Sequence, residues 1–279
     1  MNHKIAEISK ELNITDFAII SYESLKKAIK YPYEILKGYP PEIKKYLEEE
    51  NVDLKNFFPE VKSVIVCIFQ YWNSKKSYES EIKKINDINL FLNQRKGKIE
   101  NPQLIKNRKF KISRYALVDE YHKKIKETLK NMIDKIKTIN PETKGKIFVD
   151  SSGIFEKQIA AASNLGFYGR NTVLINPVYG SYFFIGGIAL NIKLDEMIPS
   201  KKENLLCNSC RLCEERCPTK ALKDFKIDPS KCISYWTTHP GKHKIPDNLM
   251  KTSEYIFGCD ICQECCPYNQ NIPKAKSIF

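Results

Sequence analysis

The sequence predicts an α+β fold, in which a mixed sheet flanked by helices is followed by a small cysteine-rich module. Apolar strands alternate with amphipathic helices over the first 198 of the 279 residues, a pattern typical of helices packed on a sheet. Nine of the ten cysteines then fall between Cys207 and Cys266. We therefore expect two domains, residues 1–198 and residues 199–279.

Hydrophobic periodicity predicts the elements of the first domain. An apolar run at 63–71 is long enough to be a central strand, and apolar residues at three- and four-residue steps over 115–138 predict a helix lying on the sheet. The segment 74–113, rich in Lys, Asn and Glu, predicts an exposed and mobile excursion. The remaining elements expected are a helix at 3–12, strands at 14–21 and 145–150, a helix at about 154–164, and strands at 172–176 and 181–194.

Composition indicates a soluble cytoplasmic protein. The N-terminus mixes charges of both signs and has no apolar core, so it is not a secretory signal. The longest apolar stretches fall short of the roughly 20 residues that span a bilayer, so no membrane contact is expected. The formal net charge is +13, and two bound iron–sulfur clusters with their eight thiolates would lower it to about +9. Such a surface attracts nucleic acid through its phosphates, although basic proteins that bind none are also common.

The cysteines form two runs of a recognisable kind. In a reduced compartment, clustered cysteines indicate metal binding rather than disulfides. Cys207 begins the spacing C-x-x-C-x-x-C-x-x-x-C-P of bacterial ferredoxins, and Cys259 begins a shorter run that also ends in Cys-Pro. The sequence therefore predicts a ferredoxin-like module with two [4Fe–4S] clusters.

Eight ligands can be assigned to two clusters because the last cysteine of each run reaches the other cluster. The first set is Cys207, Cys210, Cys213 and Cys266, and the second set is Cys217, Cys232, Cys259 and Cys262. Cys265 is left as a bystander, with an exchange of roles between Cys265 and Cys266 as the alternative. Cys67 lies in an apolar run and is expected to be a buried structural thiol. Two structural zinc sites remain the alternative metal assignment.

Six segments resemble the epoxyqueuosine reductase family, namely the cysteine run that begins at Cys207 and the five quoted below, and together they cover most of the chain from about 57 to 269. The order and spacing of the segments match throughout, although Arg170 stands where the family usually has lysine. The segments are FFPEVKSVIVCIFQY (57–71), ISRYALVDEYHKKIKETL (112–129), FVDSSGIFEKQIAAASNLGFYGRNTVLINPVYGSYFFIGGIAL (148–190), CISYW (232–236) and GCDICQECCPYN (258–269).

The resemblance implies a cobalamin-binding, nitroreductase-like first domain, with base-off cobalamin close to one cluster. It implies that Asp150 supplies a proton to the substrate, which requires a raised pKa. From the residues alone, Asp150 at the end of a strand reads equally well as the cap of the helix expected near 154. The cobalamin contacts implied, besides Asp150, are Tyr115, Ala116, Leu174, Ile185, Ser234, Asp260 and Ile261.

Three functions remain open to the sequence. The resemblance implies reduction of epoxyqueuosine at the tRNA wobble position to queuosine, by a monomer that takes electrons from a ferredoxin- or flavodoxin-type donor. It also implies a short form that lacks the helical-repeat domain found in many members. The alternatives are a corrinoid reductase of small molecules, akin to reductive dehalogenases, and a non-enzymatic two-cluster electron carrier. His122 reads as a helix-surface histidine rather than a cobalt ligand.

Overall fold

The computed structural model describes residues 1–29, 54–85, 87–94, 110–150, 154–200, 205–238 and 252–279. The strands within these ranges are β1 (Asp16–Ser21), β2 (Ser63–Gln70), β3 (Lys111–Ile112), β4 (Gly145–Val149), β5 (Phe167–Tyr168), β6 (Leu174–Ile175), β7 (Phe183–Leu190), β8 (Leu222–Lys223), β9 (Lys226–Ile227) and β10 (Tyr255–Phe257). The α-helices are α1 (Asn2–Glu11), α2 (Tyr22–Ala28), α3 (Leu54–Phe57), α4 (Tyr78–Lys83), α5 (Ile88–Gln94), α6 (Tyr121–Ile139), α7 (Glu156–Ala162), α8 (Leu205–Ser209), α9 (Leu212–Arg216), α10 (Ile233–Thr238) and α11 (Ile261–Glu264). Short 3-10 helices are Arg114–Leu117, Pro229–Lys231 and Pro267–Asn269.

The main sheet has four strands in the order β1-β2-β7-β4, and each neighbouring pair is antiparallel. The prediction of a mixed sheet is therefore wrong for this sheet. Strands β2 and β4 run in the same direction, but β7 lies between them and pairs with both. The expected strand at 172–176 is also outside the main sheet, because Leu174–Ile175 pairs only with Phe167–Tyr168.

Both faces of the sheet are covered, which explains why β2 is buried at all eight positions. On one face, Ile65 and Phe69 of β2 pack with Ile125 and Leu129 of α6 and with α1. On the other face, Val64 and Val66 pack with α2 and α7. Burial on both faces requires a continuous apolar run rather than alternation. Cys67 is fully buried in β2, as the sequence predicted.

The long helix on the sheet begins later than predicted. Residues 114–117 form a 3-10 turn, and Glu120 adopts a left-handed conformation with φ of 50° immediately before α6. The buried residues of α6 that follow this break pack against the sheet. Tyr121 and His122 lie on the first turn of α6.

The excursion 74–113 is only partly as predicted, because its described residues form two helices and a small core. Phe91 and Leu92 of α5 are buried against Ile112 and Phe257. The two-residue strand β3 pairs in parallel with β10 of the cysteine-rich region. Residues 86 and 95–109 of the excursion lie outside the described residues, as do 30–53, 151–153, 201–204 and 239–251.

The C-terminal residues return to the main sheet. Gln70 at the end of β2 donates to the carbonyl of Pro273 at 2.9 Å and accepts from the amide of Ala275 at 2.9 Å. Phe279 packs against Phe184 of β7. Within the described residues, no helix combines the length and apolar character needed to cross a membrane.

Candidate functional site

Two cavities in the cysteine-rich region contain the eight predicted ligands. The smaller cavity, of about 20 Å³, is lined by Cys207, Cys210, Cys213 and Cys266. These are the four members of the first set. The other residues lining it are Arg170, Asn171, Ile175, Leu206, Leu212, Pro267 and Tyr268.

The larger cavity, of about 630 Å³, is lined by Cys217, Cys232, Cys259 and Cys262. These four form the second set, and the cavity volume lies in the range of small-molecule sites. Its other walls are mostly apolar and include residues from four separate segments of the chain. Among them are Tyr115, Ser234 and Ile261, which the sequence resemblance assigns to cobalamin.

Burial keeps several of these thiols protonated when no cation replaces the proton. It raises the pKa of Cys213 and of Cys259 to about 12, with neighbouring thiolates adding to the effect. Burial similarly raises the pKa of Cys266 to about 11. Thiolates at these positions are stable only beside positive charge, so the donor set suits a bound metal centre. Among the described residues, no three His, Cys, Asp or Glu side chains converge on a single metal ion; the thiols line two cavities instead.

One turn between β5 and β6 contacts both cysteine runs. The backbone N–H of Arg170 donates to Sγ of Cys207 at 3.2 Å, and its guanidinium donates to the Cys207 carbonyl at 3.2 Å and to Glu214 at 2.9 Å. The Asn171 side chain donates to the carbonyl of Cys262 at 3.2 Å. Gly169 begins this turn, and a Cβ there would lie 2.6 Å from Oδ1 of Asn171. The turn therefore seats both runs.

Asp260 is fully buried between the second set and the excursion. Ser113 donates to its Oδ1, and the Arg114 backbone N–H donates to Oδ2 at 2.8 Å. The Arg114 guanidinium also pairs with Glu264 at 2.8 Å and lies over the rings of Trp72, Tyr78 and Tyr182. Burial raises the pKa of Asp260, while Arg114 and Ser113 act in the opposite direction. Asp260 therefore anchors the cysteine loop to residues 113–114 rather than lining the large cavity.

Asp150 follows β4 with a left-handed φ of 49°, and its side chain is 59% exposed. Tyr121 Oη donates to its Oδ2 at 2.8 Å, and Nε2 of His122 lies 2.6 Å from the same oxygen. The alternative role as a helix cap is excluded, because α7 begins at Glu156 with Phe155 as its N-cap. Ser151, Ser152 and Gly153 lie outside the described residues. The pairing of Asp150 with His122 was not foreseen from the sequence.

The other predicted cobalamin contacts are only partly brought together. Leu174 and Ile185 lie in the core beneath the sheet face that carries α2 and α7, and Ala116 is buried in the small core of the excursion. None of these three lines the large cavity, and neither does Asp150.

Glu156 was also missed, because in the sequence it looks like an ordinary acidic residue in the first turn of a helix. Its Oε1 is enclosed and has no hydrogen-bond partner among the described residues. The backbone N–H of Asp150 donates to its carboxylate. Burial raises the pKa of Glu156 to about 8, and the negative charge of Asp150 adds to this. A neutral carboxyl group therefore lies beside the exposed Asp150 near neutral pH.

We predict that Glu156→Gln removes a pH-dependent component of stability. The unfolded chain releases this proton near the ordinary value of 4.5, whereas the folded chain keeps it until about pH 8. Stability from this group is thus complete below pH 4.5 and is lost as pH rises towards 8. In chemical denaturation, the free energy of unfolding of the variant should exceed that of the natural chain by on the order of 1–3 kcal/mol at pH 8, and should equal it at pH 4.5. Equal pH slopes in the two proteins would show that Glu156 ionises freely.

We predict that Cys265→Ser leaves both clusters intact. Cys265 influences the thiols of the first set electrostatically, but its own Sγ points to the Cys262 carbonyl at 3.7 Å, and it lines neither cavity. Iron and acid-labile sulfide should equal those of the natural chain. Loss of about four irons per chain would instead make Cys265 a ligand.

The fold and the two thiol-lined cavities define a paired-cluster iron–sulfur protein. Residues 206–269 match the family model described as 4Fe-4S double cluster binding domain, and residues 52–151 match the one described as Epoxyqueuosine reductase QueG, DUF1730. The epoxyqueuosine reductase of Francisella cf. novicida is 32% identical over 278 residues, covering 93% of this chain and 70% of the relative. The chain belongs to the epoxyqueuosine reductase family.

Other relatives align over a shorter stretch. The epoxyqueuosine reductase of Cyclobacterium marinum is 41% identical over 162 residues, which is 57% of this chain and 51% of the relative. That of Leadbetterella byssophila is 41% identical over 161 residues, 57% of this chain and 52% of the relative. The chain thus spans about half the length of these curated relatives.

Solved structures share the fold. Epoxyqueuosine reductase from Streptococcus thermophilus superposes with a TM-score of 0.68 at 21% identity, covering 100% of this chain and 68% of that one. An epoxyqueuosine reductase solved with an epoxyqueuosine-modified tRNA-Tyr stem loop superposes with a TM-score of 0.67 at 21% identity, covering 99% of this chain and 67% of that one. A reductive dehalogenase superposes with a TM-score of 0.57 at 16% identity, covering 98% of this chain and 32% of that one.

Proposed function

We propose that this protein reduces the epoxide of epoxyqueuosine in tRNA, giving queuosine, with cobalamin and two [4Fe–4S] clusters. The observation that carries the proposal is the large cavity. Four thiols and three cobalamin contacts implied by the family resemblance line it together. Family membership supplies the reaction class. The proposal divides the chain into a cobalamin-binding and catalytic domain, 1–198, and a two-cluster domain, 199–279.

The first set of cysteines would hold one cluster and the second set the other. The two sets adjoin, because Asn171 of the turn that seats Cys207 also bonds the Cys262 backbone. The charge of the Cys213 thiolate even contributes to the raised pKa of Cys262. Two clusters held by these sets would therefore lie within a single packed unit.

Cobalamin would be held by Tyr115, Ser234 and Ile261 in the large cavity. When bound, it would supply reduced cobalt for attack on the epoxide. The apolar walls of the cavity exclude water from the space beside the second set. Asp260 and Arg114 fix the loop that carries Ile261, so these contacts are preorganised.

Asp150 would supply one proton to the epoxide oxygen, which leaves as water once two electrons and a second proton, from solvent, have been taken up. Tyr121 and His122 both contact Oδ2, so Oδ1 is the oxygen assigned to the transferable proton. The two rings are stacked at 3.9 Å on the first turn of α6, which holds the carboxyl group in one orientation. The neutral carboxyl group of Glu156 accepts a hydrogen bond from the backbone N–H of Asp150.

The RNA substrate is supported by charge and by the relative solved with a modified tRNA stem loop. A chain of net charge +13 is attracted to phosphates at low salt. We propose that a cytoplasmic monomer acts on the RNA.

The test is an assay of the reconstituted holoprotein on epoxyqueuosine-containing tRNA with a chemical reductant of low potential. Formation of queuosine that depends on added cobalamin is expected. Turnover of a small halogenated aromatic compound without any action on RNA would instead support a small-molecule reductase. A protein that takes up both clusters but does not bind cobalamin would be an electron carrier.

A further inference from the structure

Three exposed apolar side chains lie together beside the first set of cysteines. Leu206 and Leu212 line the small cavity, yet 56% and 39% of their surfaces are exposed. Phe225, 38% exposed, lies over the guanidinium of Arg170 at 4.5 Å. Arg170 in turn bonds Cys207, so the exposed patch is continuous with the wall of the small cavity.

The backbone around Phe225 is strained. Asp224 and Phe225 form the two-residue turn between β8 and β9, with φ of 47° and 61°. Such turns favour Asn-Gly, because a bulky side chain is disfavoured at positive φ. Strain of this kind is concentrated at functional sites. Phe225 covers the Arg170 guanidinium, and the 38% of its surface that stays exposed is available to a partner.

Three basic residues lie on the same two elements as the patch, the β8–β9 hairpin and α9. Lys223 and Lys226 face each other across the hairpin, where like charges repel. Arg216 is exposed at the end of α9. The nearby carboxylates Glu214 and Asp224 are engaged by arginines, which leaves Glu215 as the exposed acid of that helix. The entry face is defined by Leu206, Leu212, Phe225, Arg216, Lys223 and Lys226.

We propose that the entry face docks a small acidic protein that carries a one-electron flavin centre near its surface. The inference rests on the proposed function, in which the second set adjoins cobalamin, so that electrons would enter at the first set. An acidic carrier complements the basic rim, and exposed aromatic and aliphatic side chains supply the desolvated centre of such an interface. In the docked pair, the flavin hydroquinone anion is oxidised by one electron to the neutral semiquinone, and the group held by the first set is reduced by one electron. No proton moves and no bond between heavy atoms changes.

The test measures binding of bacterial flavodoxin to the holoprotein, which does not depend on RNA turnover. Phe225→Gly keeps the left-handed turn and relieves its strain, so the fold is preserved while the aromatic contact is lost. We expect the dissociation constant to rise at least tenfold. Lys223→Glu with Lys226→Glu should give a similar loss at low salt and abolish the salt dependence of binding.

The matched controls are Leu90→Asp and Lys130→Glu. Leu90 is 55% exposed, like Leu206, and lies on α5 along a different cavity; Lys130 is exposed on α6. Both controls should bind flavodoxin as the natural chain does, and all variants should keep their iron. Unchanged affinity in the entry-face variants, or no binding of flavodoxin to the natural chain, would overturn the inference. So would a loss of stem-loop RNA affinity with donor affinity unchanged, since the face would then belong to the RNA. Failure of RNA turnover with normal donor binding would count against the proposed function alone.

Discussion

Asp150→Asn should reduce epoxyqueuosine turnover by a factor of about 10² to 10⁴, the usual contribution of a positioned general acid. Asparagine keeps the size of the side chain and can still accept from Tyr121, but it cannot give up a proton to the substrate. Iron content and cobalamin binding should not change, because Asp150 lines neither thiol cavity. Single-turnover assays on modified RNA measure the loss directly.

Asp134→Asn is the matched control for this prediction. Asp134 is an exposed carboxylate on α6, the helix that also carries Tyr121 and His122. Its removal changes the net charge by the same amount and should leave turnover unaltered. Normal turnover in Asp150→Asn, with both proteins fully loaded, would remove Asp150 from the mechanism. A smaller loss in His122→Gln, with an altered pH profile, would support the orienting role of that histidine.

Cys232→Ala should lower the iron content from about eight to about four atoms per chain. Cys232 lies between the 3-10 turn Pro229–Lys231 and α10, and it is the member of the second set that belongs to neither cysteine run. Its backbone N–H donates to the carbonyl of Pro229 at 3.0 Å, which holds this part of the chain in place. Another side chain therefore cannot easily move into the ligand position that Cys232 leaves. The first set shares no side chain with Cys232 and should keep its cluster. EPR of the reduced protein should show one cluster signal where the natural chain shows two interacting ones.

Cys67→Ala is the control for loss of a thiol. Cys67 is buried in the centre of β2, away from both cavities, so this variant should lose stability but no iron. Full iron content and an unchanged EPR spectrum in Cys232→Ala would show that the second set is wrongly composed. Zinc in place of iron and sulfide in the natural chain would contradict both ligand sets.

The strands and helices were largely predictable because their patterns are local. The run at 63–71 is apolar at every position, and β2 is buried at every position. The order of strands was not predictable, since a fully apolar strand carries no mark of its neighbours. Insertion of β7 between β2 and β4 depends on contacts more than 30 residues apart in the chain, and it turned an expected mixed sheet into an antiparallel one.

In the candidate site, too, local patterns were predictable and contacts between distant segments were not. The spacing of the cysteines was enough to sort eight of them into the groups that line two separate cavities. The partners of Asp150 could not be read in this way, because Tyr121 and His122 are separated from it by an entire helix. The raised pKa of Glu156 likewise comes from enclosure by the fold. The helices of the excursion were missed because short segments carry too little periodicity.

The turn between β5 and β6 has a consequence for how the protein is made. Arg170 and Asn171 belong to a segment that leaves the ribosome before any of the nine clustered cysteines, and they already carry the groups that receive Cys207 and Cys262. The sheet can therefore fold first and offer a finished seat to the cysteine runs as they emerge. We expect iron delivery to be a late event in biosynthesis, completed only after Cys266 has been synthesised.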